Sequence, residues 1–224
     1  MKDKRTILNL GLIAVLVLGL EGICLGADEE ILIIGENGTT TVNGSALNST
    51  IGQINLGSLN ANEKEGLLYM AEEEKLAGDV YQTLRDKWNL QVFNNIGKAE
   101  RTHEAAVILL INRYNLDDPT TKEVGKFNNV TLQKTYNELV LKGETSLKDA
   151  LDVGAVIEEI DIIDLQKRII QTDKEDIRLV YENLMKGSGN HLRAFVLNLN
   201  RQGYEYTPLY LSKDEYNGII NGNN

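Results

Sequence analysis

The sequence predicts an all-α protein, a bundle of four long helices with one long crossover connection. Three observations predict it. Apolar residues recur at three- and four-residue steps through four segments. Only two prolines interrupt the 224 residues. The links between the four segments run short, long, short, which is the connectivity of a bundle with a single crossover.

The chain opens on "MKDKRTILNLGLIAVLVLGLEGICLGADEE". Basic Lys2, Lys4 and Arg5 precede an apolar run over residues 7–20, and small Gly26 and Ala27 follow. That is the layout of a secretory signal peptide over residues 1–27, and the run is short for a membrane span. An uncleaved anchor is the alternative, and lipidation of Cys24 a third, weaker one. The expected location is secreted or at the cell surface. Cys24 is the single cysteine and would leave with the signal, so neither a disulfide nor a thiolate metal site is expected. The formal net charge of −10 argues against nucleic acid and anionic membranes as partners.

Residues 28–60 are rich in Asn, Gly, Ser and Thr and read as a linker, with a short hairpin around Gly38 as the alternative. Asn37, Asn43 and Asn48 head N-x-S/T sequons there, and Asn129 heads a fourth. In an exported chain these are glycosylation candidates.

The bundle is expected over residues 61–200. Its first helix spans about 62–88, with Asn62 and Glu65 spaced as a capping pair. Leu67, Met70, Ala77, Tyr81 and Leu84 form its stripe, and Glu74 stands on that stripe while Glu72 and Glu73 point to water. The second helix spans about 92–114 and stops at Asp117-Asp118-Pro119. Its stripe of Phe93, Ile96, Val107, Leu110 and Tyr114 has Glu100 and His103 at its two missing beats. A longer connection holds one short helix at 131–142. The third long helix opens at Ser146, capped with Asp149, and places Glu158 on the stripe of Leu151, Ala155, Ile162, Leu165 and Ile169. The fourth opens at Asp173, with Asp176 in the matching position, and runs to about 198. Ser188 and His191 interrupt its stripe of Ile177, Tyr181, Leu184 and Phe195. Gly187 and Gly189 either permit close helix approach or a bulge, or they break the helix and leave His191 in a new first turn. The tail, 201–224, is aromatic and then polar, and is expected to pack across the bundle.

Each long helix thus breaks its apolar face near mid-length. Packed side by side, the four bring three carboxylates and both histidines of the chain into one layer. Like charges in a low-dielectric layer must protonate or meet a cation. A divalent ion resolves the conflict, and carboxylate with imidazole suits iron, manganese or zinc. Glu100 and His103 form Glu-x-x-His, one turn apart on one face. Bundle-core di-metal sites take one Glu from each of two helices and Glu-x-x-His from each of the other two. Here only Ser188 departs from that pattern. A buried polar network without metal is the alternative. Glu104, Glu159 and Asp164 are assigned to solvent or to surface ion pairs.

"EEEKLAGDVY", with Glu74, Ala77 and Tyr81, resembles the first-helix motif of the ferritin-like superfamily, in its rubrerythrin-type branch. "MAEEEKLAGDVY", "AERTHEAAVILLINRYNLDDP", "VGAVIEEIDIIDL" and "GSGNHLRAF" together are similar to a family of exported ferritin-like domains of unknown function from archaea and bacteria, over about residues 63–208. The resemblance implies Glu74, Glu100, His103, Glu158 and His191 as metal ligands. It places Asp161 where rubrerythrins carry a second carboxylate on the third helix, and Ser188 where the common pattern has Glu. Asp161 or Glu182 would fill that gap; otherwise the site holds one ion, an asymmetric pair, or none. Tyr81 and Tyr181 are read either as electron or hydrogen-bond partners of the ligands or as buried, satisfied tyrosines. Arg101 and Arg193 are candidates to contact the carboxylates. The implied cofactor is iron, di-iron or mono-iron, with manganese or zinc as substitutes. The implied partners are dioxygen or peroxide and an external electron donor, since the chain has no cysteines for a rubredoxin-type relay. A homodimer is the oligomer this reading admits. The alternative is a non-enzymatic cell-surface structural or interaction module.

Overall fold

The computed structural model describes residues 30–222, so the signal-peptide expectation, Cys24 included, lies outside the described residues. Within them the chain is mostly helical, with seven helices and one small antiparallel sheet. The elements are β1 (Leu32–Ile34), β2 (Thr40–Val42), α1 (Gly44–Gly52), α2 (Ala61–Trp88), α3 (Gln91–Arg113), α4 (Val130–Gly143), α5 (Leu147–Gln171), α6 (Glu175–Arg201) and α7 (Lys213–Ile220).

The long helices α2, α3, α5 and α6 lie where the apolar periodicity puts them. The two short links pack α2 along α3 and α5 along α6, the pairs meet through α2–α5 and α3–α6, and α4 lies against α2 and α5. Helix ends correct two expectations. The α2 capping box is Asn60 with Glu63, two residues earlier than Asn62 with Glu65. Lys174, not Asp173, is the N-cap of α6, and its ammonium offers no acceptor, so there is no side-chain cap; Asp176 instead meets Arg113 and Tyr114. Ser146 caps α5 through the amide of Asp149, as expected.

Helix α6 runs unbroken through Gly187-Ser188-Gly189. The reason sits opposite Gly187: a Cβ there would lie 2.7 Å from the His103 ring. Gly187 lets the helix approach an imidazole, so the pair of glycines is no helix break.

The segment read as a linker instead carries β1, β2 and α1. Asn37 and Gly38 both have left-handed φ, 55° and 75°, as the Asn-Gly hairpin signal requires. A Cβ on Gly38 would fall 2.7 Å from Ile96 and 2.9 Å from Ala194, so the hairpin tip is wedged between α3 and α6. Val42, Leu47 and Ile51 are buried in the core. Of the sequon asparagines, Asn37 and Asn48 are exposed, while Asn43 and Asn129 cap α1 and α4.

The apolar core divides in two. Leu76, Val80 and Tyr81 of α2 join Phe93, Ile96, Leu192 and Phe195 in one cluster. Leu67, Met70 and Ala71 join Ala106, Leu110, Tyr181 and Leu184 in the other. On α2, α3 and α6 the change of cluster falls at residues 72–75, 100–103 and 188–191, which is the polar layer.

Candidate metal centre

Glu100 and His103, three residues apart on α3, share a face. Glu74 comes from α2, Glu158 from α5 and His191 from α6, and all five side chains are buried. The carboxylate of Glu100 lies between the two imidazoles. Its Oε2 is 2.9 Å from His103 Nδ1 and its Oε1 is 2.8 Å from His191 Nδ1. Glu74 Oε2 stands 3.4 Å from His103 Nδ1, and Glu158 Oε2 stands 3.3 Å from His191 Nδ1. The layer is therefore two half-sites, each with one imidazole, one terminal glutamate and one oxygen of Glu100. The two rings stack, with centroids 5.3 Å apart.

At these distances the ring N–H directions are poorly aligned with the carboxylate oxygens. Both Nδ1 atoms lack a hydrogen-bond partner, as do Glu74 Oε1 and Asp161 Oδ1. Carboxylate oxygens and imidazole nitrogens sit 2.8 and 2.9 Å apart without an aligned hydrogen bond, and ligand atoms about 2.1 Å from one ion would be about 3 Å apart. Glu100, His103 and His191 offer atoms within 4.8 Å of one another. Buried groups left unpartnered in this number call for an explanation, and a cation fits the donor set.

The buried acids and imidazoles strongly perturb one another. Burial pushes Glu74 and Glu158 up to about 7. Burial also opposes ionisation of Glu100, but the two imidazoles outweigh it and hold that carboxyl well below the usual range. Burial disfavours a charged His191, yet Glu100 and Glu158 raise it to about 9, and Glu100 with Glu74 raises His103. Without a metal, protonated imidazoles balance the charge of Glu100.

Ser188 Oγ donates to Asp161 Oδ2. Asp161, on α5 one turn after Glu158, therefore lies directly across from Ser188, the position where the resemblance expects an acid. Tyr81 donates to Glu158 Oε1 at 2.5 Å. Tyr181 is buried with its hydroxyl unpartnered, so it bonds none of the carboxylates. Glu182 is half-buried on α6 and is not among the converging side chains. Arg101 turns away to Asp79 and Glu104, and Arg193 to the carbonyl of Ile219. A cavity of about 110 Å³ between α2, α4 and α5 has Glu74, Glu100, Glu158 and Asp161 on its floor and Leu76 and Leu132 in its walls.

Three acids assigned to the surface are not there. Glu72 is buried and accepts the amides of Asn128 and Asn129 at the start of α4. Glu73 is buried beside Asp164, and burial followed by that neighbour raises its pKa. Glu159 is fully buried and accepts the Tyr206 hydroxyl and the amides of Leu209, Tyr210 and Leu211, which docks the tail. Sequence reasoning also missed Thr40, whose Oγ1 lies 2.8 Å from His191 Nε2 and 3.4 Å from His103 Nε2. Its only signal was the Asn-Gly turn that folds β2 back.

The comparisons with known proteins point to one family. The curated relative "Uncharacterized protein MJ0754" from Methanocaldococcus jannaschii is 57% identical over 159 residues, covering 70% of this chain and 86% of the relative. The crystal structure of hypothetical protein MJ0754 from the same archaeon superposes with a TM-score of 0.74 at 53% identity, over 75% of this chain and 97% of that one. A family model described as an uncharacterized protein domain, DUF2202, matches residues 63–223, and the chain belongs to that family.

Proposed function

We propose that this chain is an exported ferritin-like protein that holds one or two transition-metal ions, iron first, in the middle of a four-helix bundle. The observation that carries the reading is the pair of buried, unpartnered Nδ1 atoms, each facing one oxygen of Glu100. Glu74, Glu100, His103, Glu158 and His191 would hold the metal, with Asp161 as the further carboxylate. Hard oxygen donors with imidazole nitrogen suit iron, with manganese or zinc as substitutes. Bound iron would supply oxidase- or peroxidase-type redox chemistry with dioxygen or peroxide, given an external electron donor.

The chain's own residues have definable tasks. Glu100 offers one oxygen to each half-site. Tyr81 fixes the Glu158 carboxylate from behind. Glu74 and Glu158, which burial holds up at about 7 in the absence of a cation, would be kept ionised by a bound metal and serve as its terminal carboxylates. The cavity is sized for a small oxidant and is walled by apolar side chains. The signal-like start of the sequence supports export.

A non-enzymatic surface module with a metal-free polar layer is the second reading. The raised imidazoles favour it, since two imidazoliums would pair with Glu100. The missing hydrogen-bond directions weigh against it. The deciding measurement is metal per chain after aerobic loading with iron or manganese, for the parent, Glu100→Ala and His103→Ala. Stoichiometric metal in the parent that disappears in both variants supports the first reading. A metal-free parent with equally stable variants overturns it.

A further inference from the structure

We infer that Thr40 is a positioning residue for both imidazoles, delivered by a hairpin that precedes the segment matching the family model. The inference rests on the metal reading above for its consequence, but its geometry stands apart from it. The family match begins at residue 63, and Thr40 sits in β2, 2% exposed. Its Oγ1 is the atom that meets Nε2 of both histidines.

A hydroxyl carries two lone pairs and one proton. Two Nε2–H groups donating to Oγ1 use both lone pairs. Each imidazole that keeps a proton on Nε2 can present a bare Nδ1 to the Glu100 side, where the unpartnered nitrogens are found. One hydroxyl thereby sets ring orientation and ligand atom for both half-sites. The ring nitrogen that does not bind a metal commonly donates to such a partner, and its loss lowers metal affinity about 10–100-fold.

The hairpin is built to hold that hydroxyl still. Alternation in β2 buries Thr40 and Val42 and exposes Thr41. The Val42 amide donates to Thr102 Oγ1 at 3.0 Å, next to His103. Gly38 wedges the tip between α3 and α6. Gly187 leaves room for the His103 ring, and a Cβ there would also come within 3.7 Å of Thr40 Oγ1. The hairpin packs on α3 and α6, so it closes the face opposite the cavity of α2, α4 and α5.

The test uses the full chain with Co²⁺ as the probe. Thr40→Val keeps the shape and removes the hydroxyl; Thr40→Ser keeps the hydroxyl. Two measurements are made: Co²⁺ affinity by competition with a chromophoric chelator, and ¹⁵N-edited NMR of the imidazole Nε2 protons in the metal-free protein. Thr40→Val should lose about 10–100-fold in Co²⁺ affinity and lose exchange protection of the Nε2 protons, while Thr40→Ser stays close to the parent. A Thr40→Val protein equal to the parent in both measurements overturns the inference. A parent that takes up no Co²⁺ but shows protected Nε2 protons, lost in Thr40→Val, sinks the metal reading and leaves the role of Thr40 standing. If Thr40→Val does not fold, Thr40→Ala in the same two measurements decides.

Discussion

Asp79 and Glu100 are buried acids on neighbouring helices, 1% and 2% exposed, and their surroundings differ in kind. Asp79 meets Lys75 and Arg101 at 2.5 Å each and accepts the Gly125 amide at 2.8 Å. Asp176 has Arg113 and Tyr114, and Glu159 has a tyrosine and three backbone amides. Those acids hold the crossover, the α6 start and the tail, and directional donors built into the chain serve them. Glu74, Glu100, Glu158 and Asp161 share two imidazoles, Tyr81 and Ser188, with no lysine or arginine bonded to them among the described residues and with four atoms of the layer unpartnered. Asp79, Asp176 and Glu159 are matched by the chain's own donors; on the function proposed above, the central acids are the ones a metal ion would match.

The sharpest way to break this contrast is to remove one acid of each kind from metal-free protein. Asp79→Ala takes from the buried Lys75 its charged partner and leaves it the carbonyls of Glu123 and Lys126, and should lower stability by about 3 kcal/mol in chemical denaturation. Glu74→Gln should do the reverse above neutral pH. The folded pKa of Glu74, about 7, lies above its ordinary 4.5, so folding disfavours its ionisation. That raised value contributes stability below the ordinary pKa, and the contribution is lost as pH rises through about 7. Glutamine cannot ionise, so at about pH 8 the variant should gain on the order of 2–3 kcal/mol over the parent. If both substitutions destabilise equally at that pH, the two sets of acids are one set.

Gly187→Ala tests whether the central layer tolerates displacement. The new methyl would lie 2.7 Å from the His103 ring, so ring or helix must move. The expected fold cost is about 1–3 kcal/mol, with metal uptake falling more than tenfold as His103 leaves its half-site. Unchanged uptake, read by metal analysis, would show that the layer absorbs the methyl without displacing His103 or that His103 is not a ligand.

How much of this was legible in the sequence follows the same division. Glu74, Glu100, His103, Glu158 and His191 were found because they break a 3.6-residue apolar rhythm, a signal that survives without knowledge of neighbours. Glu72, Glu73 and Glu159 were assigned to water because they lie off the main stripe. Their burial comes from α4 and the tail, elements whose docking no helical period encodes. Thr40 was missed for a related reason. A three-residue strand in a polar stretch carries almost no periodicity, and its pairing with two histidines, 63 and 151 residues away, is decided by where the hairpin packs.

The smallest expected effect settles to which set Asp161 belongs. Its Oδ2 takes the Ser188 hydroxyl and its Oδ1 takes nothing, so it stands between the matched acids and the exposed donors of the centre. Ser188→Ala removes the one bond and leaves the carboxyl wholly unpartnered in the core. In metal-free protein that should cost about 1 kcal/mol. In protein loaded with iron or manganese, an Asp161 that faces the ion no longer depends on Ser188, and the cost should shrink toward zero. The readout is the pair of thermal or denaturant unfolding differences, variant against parent, with and without metal. An equal cost in both states would place Asp161 with Asp79 and Glu159, as an acid the fold itself satisfies, and would leave the second half-site with no carboxylate to replace the one absent at Ser188.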